Sequence, residues 1–259
     1  MPKIKLLLFI FLLSLKTVTA QSLLVPVDGL QISFATGSWQ YKEYLLNGLR
    51  NNGFNLSFGV DYGFHQRSLN HEIGFHFDAA ALWNRYKWDT YCFQPAFHYR
   101  LLANVKDVIQ LGGNVNYACL NYRDENLDSH HNYWRTCISL GFSACYHYNI
   151  NEKWTLFVPL NLPLVGLLSR PPADRHLILN EPDIKLSDVL KRMHSDFQFV
   201  AIGYKYFEIE TGISFGVTFQ QGNKLIFGYK LLYEQTSISL KSQLFTNEIS
   251  LQYAFKKNK

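Results

Sequence analysis

The sequence predicts an all-β protein whose strands form an antiparallel up-and-down transmembrane β-barrel with about ten strands. Apolar and polar residues alternate along most of the chain, many alternating segments reach ten residues or more, and tryptophans fall near the ends of these segments. Alternation with a period of two is typical of β-strands. Strands of globular proteins are usually about five or six residues long, whereas a tilted strand that crosses a bilayer needs about 9–11.

The expected strands can be followed in order along the chain. We expect seven strands between residues 30 and 162, two between residues 207 and 233, and a closing strand that begins at residue 246. Residues 197–206 also alternate, and we expect them to extend above the membrane rather than to cross it. Bacterial single-chain barrels have an even number of strands, so twelve, with one further strand, is the alternative.

The first residues have the layout of a secretory signal peptide. Lys3 and Lys5 precede an apolar run over residues 6–15, and small residues lead to an expected cleavage after Ala20. The run is too short to span a bilayer as a helix, which needs about 20 apolar residues. We therefore expect residues 1–20 to be removed during export.

The composition agrees with strands that face something other than water. Aromatic residues make up 16% of the chain and charged residues 17%, whereas a typical soluble domain has about 25% charged residues. The formal net charge is +5, but Lys3, Lys5 and Lys16 belong to the segment that we expect to be removed. Electrostatics therefore give no support for binding to nucleic acid.

The tryptophans mark the expected edges of the membrane. Aromatic rings with a polar tip favour the membrane–water interface, and outer girdles of such rings are typical of transmembrane barrels. We assign five residues to these girdles: Trp39, Trp83, Trp88, Trp134 and Trp154.

The polar face of the strands carries mainly Gly, Ser, Asn and isolated charges, which suits the crowded interior of a narrow barrel. Its charged residues would set an ion preference or lock the barrel shut. The candidates that line the lumen are Asp61, Glu72, His76, Asp78, His98, Arg100, Arg135, Glu210, Lys230 and Glu248.

Histidines and carboxylates concentrate on three consecutive strands of this face. Asp61 lies on the first strand, His76 on the second, and His98 and Arg100 on the third. Such a cluster could bind a metal, relay protons or hold a substrate. The simpler interpretation is a set of paired charges that fills the barrel, because buried charges need partners whatever the function. We therefore expect no metal site and no cofactor.

These features resemble the small outer-membrane β-barrel proteins of Gram-negative bacteria. The resemblance covers most of the mature chain and rests on the signal peptide, the aromatic alternation and the closing strand at residues 248–255. It implies a location in the cell outer membrane, contacts with its lipid and lipopolysaccharide, and recognition of the C-terminal strand by the barrel-assembly machinery. Family members usually end in an aromatic residue, whereas residues 256–259 follow Phe255 here.

The resemblance also places parts of the chain on the two sides of the membrane. Residues 21–29 would form a short periplasmic segment, residues 30–256 the barrel, and residues 257–259 a periplasmic tail. The longest connection, residues 169–196, would be an extracellular loop. Loops of this length are uncommon without a function, so this one could cover the mouth of the barrel or bind a protein partner.

The leading functional interpretation is a non-enzymatic, porin-like barrel that acts as a narrow channel or as a structural or accessory subunit. An outer-membrane enzyme that acts on lipid or lipopolysaccharide is one alternative, and a secreted soluble β-protein that binds a ligand is another. No catalytic residue is assigned, because the only His-Ser dipeptide, His194-Ser195, would point its side chains to opposite faces of an extended chain.

Overall fold

The computed structural model describes residues 29–43, 50–83, 90–106, 108–124, 132–171, 191, 193–238 and 241–256. The predicted signal peptide, residues 21–28, Trp88, residues 172–190 of the predicted loop and the tail at 257–259 lie outside these ranges. The described residues form eleven strands: β1 (Gly29–Glu43), β2 (Arg50–Gln66), β3 (Leu69–Trp83), β4 (Thr90–Lys106), β5 (Ile109–Asp124), β6 (Asn132–Asn149), β7 (Trp154–Ser169), β8 (Gln198–Ile202), β9 (Lys205–Thr218), β10 (Lys224–Thr236) and β11 (Ser242–Ala254).

Hydrogen bonds between neighbouring strands close the sheet into a barrel. Antiparallel pairing connects each strand from β1 to β7 with the next, and β9, β10 and β11 in the same way. The first and last strands then pair with each other, from Gln31 opposite Ala254 to Glu43 opposite Ser242. Among the described residues, no helix is long and apolar enough to cross a membrane. The predicted all-β antiparallel barrel is confirmed.

The described residues form eleven strands, so neither predicted number, ten or twelve, is confirmed, and the short strand β8 accounts for the difference from ten. Between Trp154 and Asn161, β7 pairs directly with β9, which leaves β8 beside the last part of β7 only. Strand β8 has five residues, pairs antiparallel with the last part of β7, and lies parallel to the first residues of β9. Gly203 (φ 75°) and Lys205 (φ 60°) interrupt the extended backbone between β8 and β9. The sequence alternates without a visible break through this region, so a change of backbone direction escapes a reading based on periodicity.

The connections give the barrel two different ends. At one end, which we call the short-turn end, lie Gly29 and Ala254 together with the connections at residues 67–68, 107–108, 150–153 and 219–223. At the opposite end, which we call the loop end, β7 ends at Ser169 and β8 begins at Gln198.

The outer face of the barrel is apolar and the inner face is polar. Along β2, the side chains of Phe54, Leu56 and Tyr62 are 51%, 44% and 43% exposed, while Ser57 and Asp61 between them are buried. Each of the eleven strands has at least one large exposed hydrophobic side chain. A water-soluble fold places its apolar face inward, so this barrel has the opposite polarity.

An apolar layer crosses the interior near the loop end. Inward-facing positions of six strands bring together aromatic and aliphatic side chains that have almost no contact with solvent. The members of this layer are Trp39, Tyr41, Ala80, Leu82, Cys92, Leu120, Tyr122, Leu232 and Leu244. All four cysteines of the chain are free and buried, as small packing residues.

The structure corrects the assignment of Trp39 to an outer girdle. Trp39 lies opposite Gly53 and Thr246 on the inner face of β1 and is only 2% exposed. It belongs to the apolar layer, together with Tyr41 of the same strand. A tryptophan near a strand end thus packs inside the barrel rather than at its surface.

The other described tryptophans lie on the outer face at both ends. Trp83 is partly buried at the loop end, and Trp154 is 43% exposed at the short-turn end. Trp134 also lies on the outer face, but Met193 and Cys119 cover its ring. The described end of the long connection, at Met193 and His194, therefore packs against the outside of β5 and β6.

We expect Trp39→Ala to lower the free energy of unfolding by about 3–5 kcal/mol, because it leaves a cavity in the apolar layer. Trp154→Ala is the control, since the same truncation at an exposed ring leaves no cavity and should cost much less. Denaturant titration of the folded protein measures both values. Equal losses for the two variants would contradict the inward placement of Trp39.

Candidate functional site

The structure places all ten candidate lumen residues on the inner face of the barrel. Eight of them are less than 9% exposed, while His98 and Glu210 are partly buried. They do not form a continuous row along the barrel but fall into separate groups, each with its own partners. The alternation therefore identifies the inward residues, and the pairing of the strands decides which of them meet.

The first group, the Asp61 cluster, contains five of the ten candidates and lies on β2, β3 and β4. His76 Nε2 is 2.9 Å from Asp61 Oδ1, and His98 Nε2 is 3.6 Å from the same oxygen. Arg100 donates a hydrogen bond of 2.6 Å to Glu72, whose carboxylate is 3.2 Å from His98 Nε2. The two imidazole rings stack with their centroids 4.6 Å apart.

A glycine on the middle strand allows the Asp61 cluster to form. Gly74 of β3 lies directly opposite Asp61 of β2 and directly opposite His98 of β4. A Cβ atom at this position would be 2.1 Å from Asp61 Oδ1 and 2.1 Å from His98 Cε1. The side chains of Asp61 and His98, which are two strands apart, therefore meet over Gly74, which has no side chain to separate them.

The second group, the Lys230 cluster, lies on the inner face of β2, β3, β10 and β11. Lys230 Nζ is 2.5 Å from Glu248 Oε2, and both side chains are 2% exposed. Asn55 donates a 2.6 Å hydrogen bond and Ser57 a 3.3 Å hydrogen bond to the other oxygen of Glu248. Asp78 lies directly opposite Ser57 in the register of β2 and β3. One oxygen of the Glu248 carboxylate thus accepts hydrogen bonds from neutral donors, and the other faces the Lys230 ammonium.

The third group, the Arg135 cluster, contains residues that the sequence analysis did not select. Arg135 forms a 2.5 Å ion pair with Glu234, and Arg170 donates a 3.2 Å hydrogen bond to Thr236. Glu234 is on the same inward face of β10 as Lys230, four residues away. The two-residue period was therefore a sufficient signal for it.

Glu208 was missed in the same way. It precedes Glu210 by two residues on β9 and accepts a short hydrogen bond from the Tyr206 hydroxyl. Glu210 accepts a 3.2 Å hydrogen bond from Asn161, which in turn accepts one of 2.6 Å from Ser143. Acidic side chains on β9 thus accept hydrogen bonds from neutral donors.

An interior cavity of about 60 Å³ lies between the Asp61 and Arg135 clusters. Since about 10–15 Å³ of such space holds one water molecule, it has room for only a few. Its charged lining residues are His76, His98, Arg100, Arg135, Glu208, Glu210 and Glu234. Below it, towards the short-turn end, Cys145, Phe157 and Ile226 pack together and Gln31 bonds Gln252 at 2.8 Å. The described interior is therefore filled on both sides of the cavity.

The His-Ser dipeptide does not form a hydrolytic site in the described part of the chain. His194 Nε2 is 2.7 Å from the Tyr117 hydroxyl, and the two rings stack on the outer face of the barrel. The Ser195 hydroxyl instead donates a hydrogen bond to Asp196. The two side chains therefore serve different partners.

A Gly-x-Ser-x-Gly motif at residues 212–216 also lacks catalytic geometry. It lies within strand β9, and Ser214 is fully buried. A nucleophile elbow needs a sharp turn from a strand to a helix that exposes the serine. The motif arises here because small residues occupy alternate positions of β9, on its inner face.

Comparisons with known proteins show likeness of fold alone. No protein-family model and no curated protein matches the chain. The β domain of the Bordetella autotransporter BrkA matches with a TM-score of 0.42 and 11% identity, over 88% of this chain and 100% of that one. The outer-membrane protease OmpT from Escherichia coli matches with a TM-score of 0.44 and 7% identity, over 91% and 99%. Neisserial surface protein A matches with a TM-score of 0.37 and 13% identity, over 88% and 99%.

The predicted architectural resemblance to Gram-negative outer-membrane β-barrels is confirmed at this level. Identities of 7–13% do not carry residue roles from those proteins to this chain. The faces and the interior of the barrel itself are therefore the evidence for its function.

We expect Gly74→Ala to lower the free energy of unfolding by about 1–3 kcal/mol, because the new methyl group displaces Asp61 and His98. Gly113→Ala is the matched control, since a Cβ atom there meets only the Gly141 carbonyl oxygen, at 3.4 Å. Denaturant titration of both variants measures the difference. A loss at Gly74 no larger than the loss at Gly113 would contradict the close approach described above.

Proposed function

We propose that this chain is an integral outer-membrane β-barrel with a closed interior, which acts as a structural or accessory component rather than as an open pore or an enzyme. The observation that carries the proposal is the filled lumen. Its inward charges are held by hydrogen bonds and ion pairs, and an apolar layer lies across the loop end. A barrel of this kind would act through its stable fold and through the outer surfaces that it presents to lipids and to other proteins.

The outer face supports the membrane location. Ile249, Phe34 and Phe227, on three consecutive strands of the ring, are 67%, 56% and 50% exposed. Monomeric soluble proteins rarely expose such continuous apolar surface, because contact of hydrocarbon with water is unfavourable. Ten of the strands have 13–18 residues, which exceeds the 9–11 or so needed to cross a bilayer. Outer-membrane lipid and lipopolysaccharide would then contact this face.

The interior supports a closed state. Barrels of about 16–18 strands leave an aqueous channel, whereas those of about eight strands are filled by their own side chains. This barrel has eleven strands in the described part of the chain, and its interior cavity of about 60 Å³ is bounded by packed side chains. Ions that crossed it would have to displace paired charges and enter the apolar layer, at a large desolvation cost.

Export, assembly and partner binding complete the proposal. A signal peptide over residues 1–20 would direct the chain to the periplasm. The last strand, β11, alternates apolar and polar residues and is followed by the exposed ring of Phe255, which suits recognition by the barrel-assembly machinery. The connection at residues 169–196 would then present a docking segment for a protein partner outside the barrel wall.

Purified protein reconstituted in planar bilayers should show no conductance, because the apolar layer excludes hydrated ions. The variant Trp39→Ala with Tyr122→Ala and Phe157→Ala removes rings from the packed layers on both sides of the cavity and should conduct, if those layers are the barrier. Trp154→Ala, which changes only the outer face, is the control and should stay silent. Steady conductance by the wild-type barrel would overturn the closed-lumen proposal and favour the channel interpretation.

Ile249→Arg should weaken folding into lipid vesicles by about 2–4 kcal/mol, because the charge would face hydrocarbon near the middle of a strand. Glu152→Arg, in an exposed turn at the short-turn end, is the control and should have little effect. Urea titration in vesicles measures both. The membrane location itself fails if the native protein is extracted from cells without detergent and migrates identically on gels with and without heating.

A further inference from the structure

We propose that Asp61, His76 and His98 form a binding site for one divalent transition-metal ion, with zinc as the best match, on the inner wall of the barrel. Each residue offers one ligand atom, and these atoms lie within 4.8 Å of one another on three adjacent strands. The site goes beyond the proposed structural function and does not depend on whether the barrel is closed or open.

Two of the three distances between the ligand atoms suit tetrahedral coordination. Zinc binds nitrogen and oxygen ligands at about 2.0–2.2 Å, so two neighbouring ligand atoms of a tetrahedral site are about 3.3 Å apart. Asp61 Oδ1 is 2.9 Å from His76 Nε2 and 3.6 Å from His98 Nε2, which are values on either side of that spacing. The two histidine nitrogens lie within 4.8 Å of each other, so binding one ion would draw the imidazoles together by up to about 1.5 Å.

The Asp61 carboxylate supplies an independent reason for a cation. Its side chain is 4% exposed, and neither oxygen accepts a hydrogen bond of acceptable geometry from the described residues. Burial of an ionised carboxylate without good hydrogen bonds is costly. A metal ion bound between Asp61 and the two imidazoles would compensate that charge where the neighbouring side chains do so only in part.

The other charged groups of the cluster are compatible with a bound cation. Arg100 Nη2 is 3.0 Å from His98 Nε2, but the same nitrogen is bound to Glu72 at 2.6 Å. Glu72 can therefore retain the guanidinium when His98 Nε2 turns its lone pair to the metal. Asp61 and Glu72 together carry two negative charges against one positive charge on Arg100, so the cluster has a negative balance with neutral imidazoles.

The chemical type of the ligands indicates which metal would bind, and water in the cavity could occupy the fourth coordination position. Imidazole suits zinc, copper, nickel and iron, whereas calcium and magnesium prefer sites made only of oxygen. His76 and His98 also line the interior cavity, which has room for a few water molecules. Three protein ligands with water in the fourth position are the arrangement of an open zinc site.

The test uses the purified full-length mature barrel in detergent, stripped of metal with a chelator. Titration with Zn²⁺ by calorimetry should give one site per chain, and Zn²⁺ should raise the Tm, because an ion that binds only the folded state stabilises it. Ca²⁺ and Mg²⁺ should do neither. Co²⁺ in place of Zn²⁺ should give the intense visible absorption of tetrahedral coordination.

Asp61→Asn, His76→Gln and His98→Gln should each lower the Zn²⁺ affinity by at least about a hundredfold, since loss of a ligand exceeds the 10–100-fold cost of losing a supporting contact. His65→Gln and His71→Gln are the matched controls. These histidines lie at the short-turn end and bond Asn70 and Tyr99, so their removal should leave the affinity unchanged.

X-ray absorption of the zinc-loaded wild-type protein keeps the test independent of variant folding. Two imidazole nitrogens and one or two oxygens around the ion would support the site. The proposal is overturned by the absence of a stoichiometric zinc site, by coordination without histidine, or by affinity that depends on His65 or His71 instead of the three ligands.

Discussion

The pairing of β1 with β11 is the constraint on which the rest of the structure depends. It removes the two free edges that an open sheet would present and creates an enclosed space that half of all strand residues must share. Because the side chains of a strand alternate between faces, closure forces every polar residue of the inner face into that space. The chemistry of the interior follows from how these residues are accommodated.

Enclosure makes partners obligatory for the inward charges. A buried ion whose partner is absent destabilises a fold by several kcal/mol. In this barrel, inward charges form ion pairs such as Lys230–Glu248 and Arg135–Glu234. Small inward residues contribute as well, because they leave the space in which long side chains reach each other. Gly74 has this function between Asp61 and His98.

The interior changes in character along the barrel, and this links the fold to the proposed function. Near the loop end the apolar layer shares its level with the Arg135–Glu234 ion pair, while charges and amides dominate in the middle. A closed barrel with an apolar outer face suits a membrane wall, and its charged middle is shielded from bulk water. Shielding also strengthens electrostatic interactions, so the Asp61 cluster would bind a cation in an environment of low dielectric constant.

The sequence by itself determined the fold class, the polarity of the two faces and all ten of the inward charges that it selected, because alternation is a local property of each strand. It also contained the signal for Glu208 and Glu234, which continue the same two-residue period. Only the tertiary structure decided that Trp39 packs inside, that β8 makes an eleventh strand, and that Asp61, His76 and His98 meet. These outcomes depend on the register between strands and on turns of the backbone, and hydrogen bonds between distant parts of the chain set both.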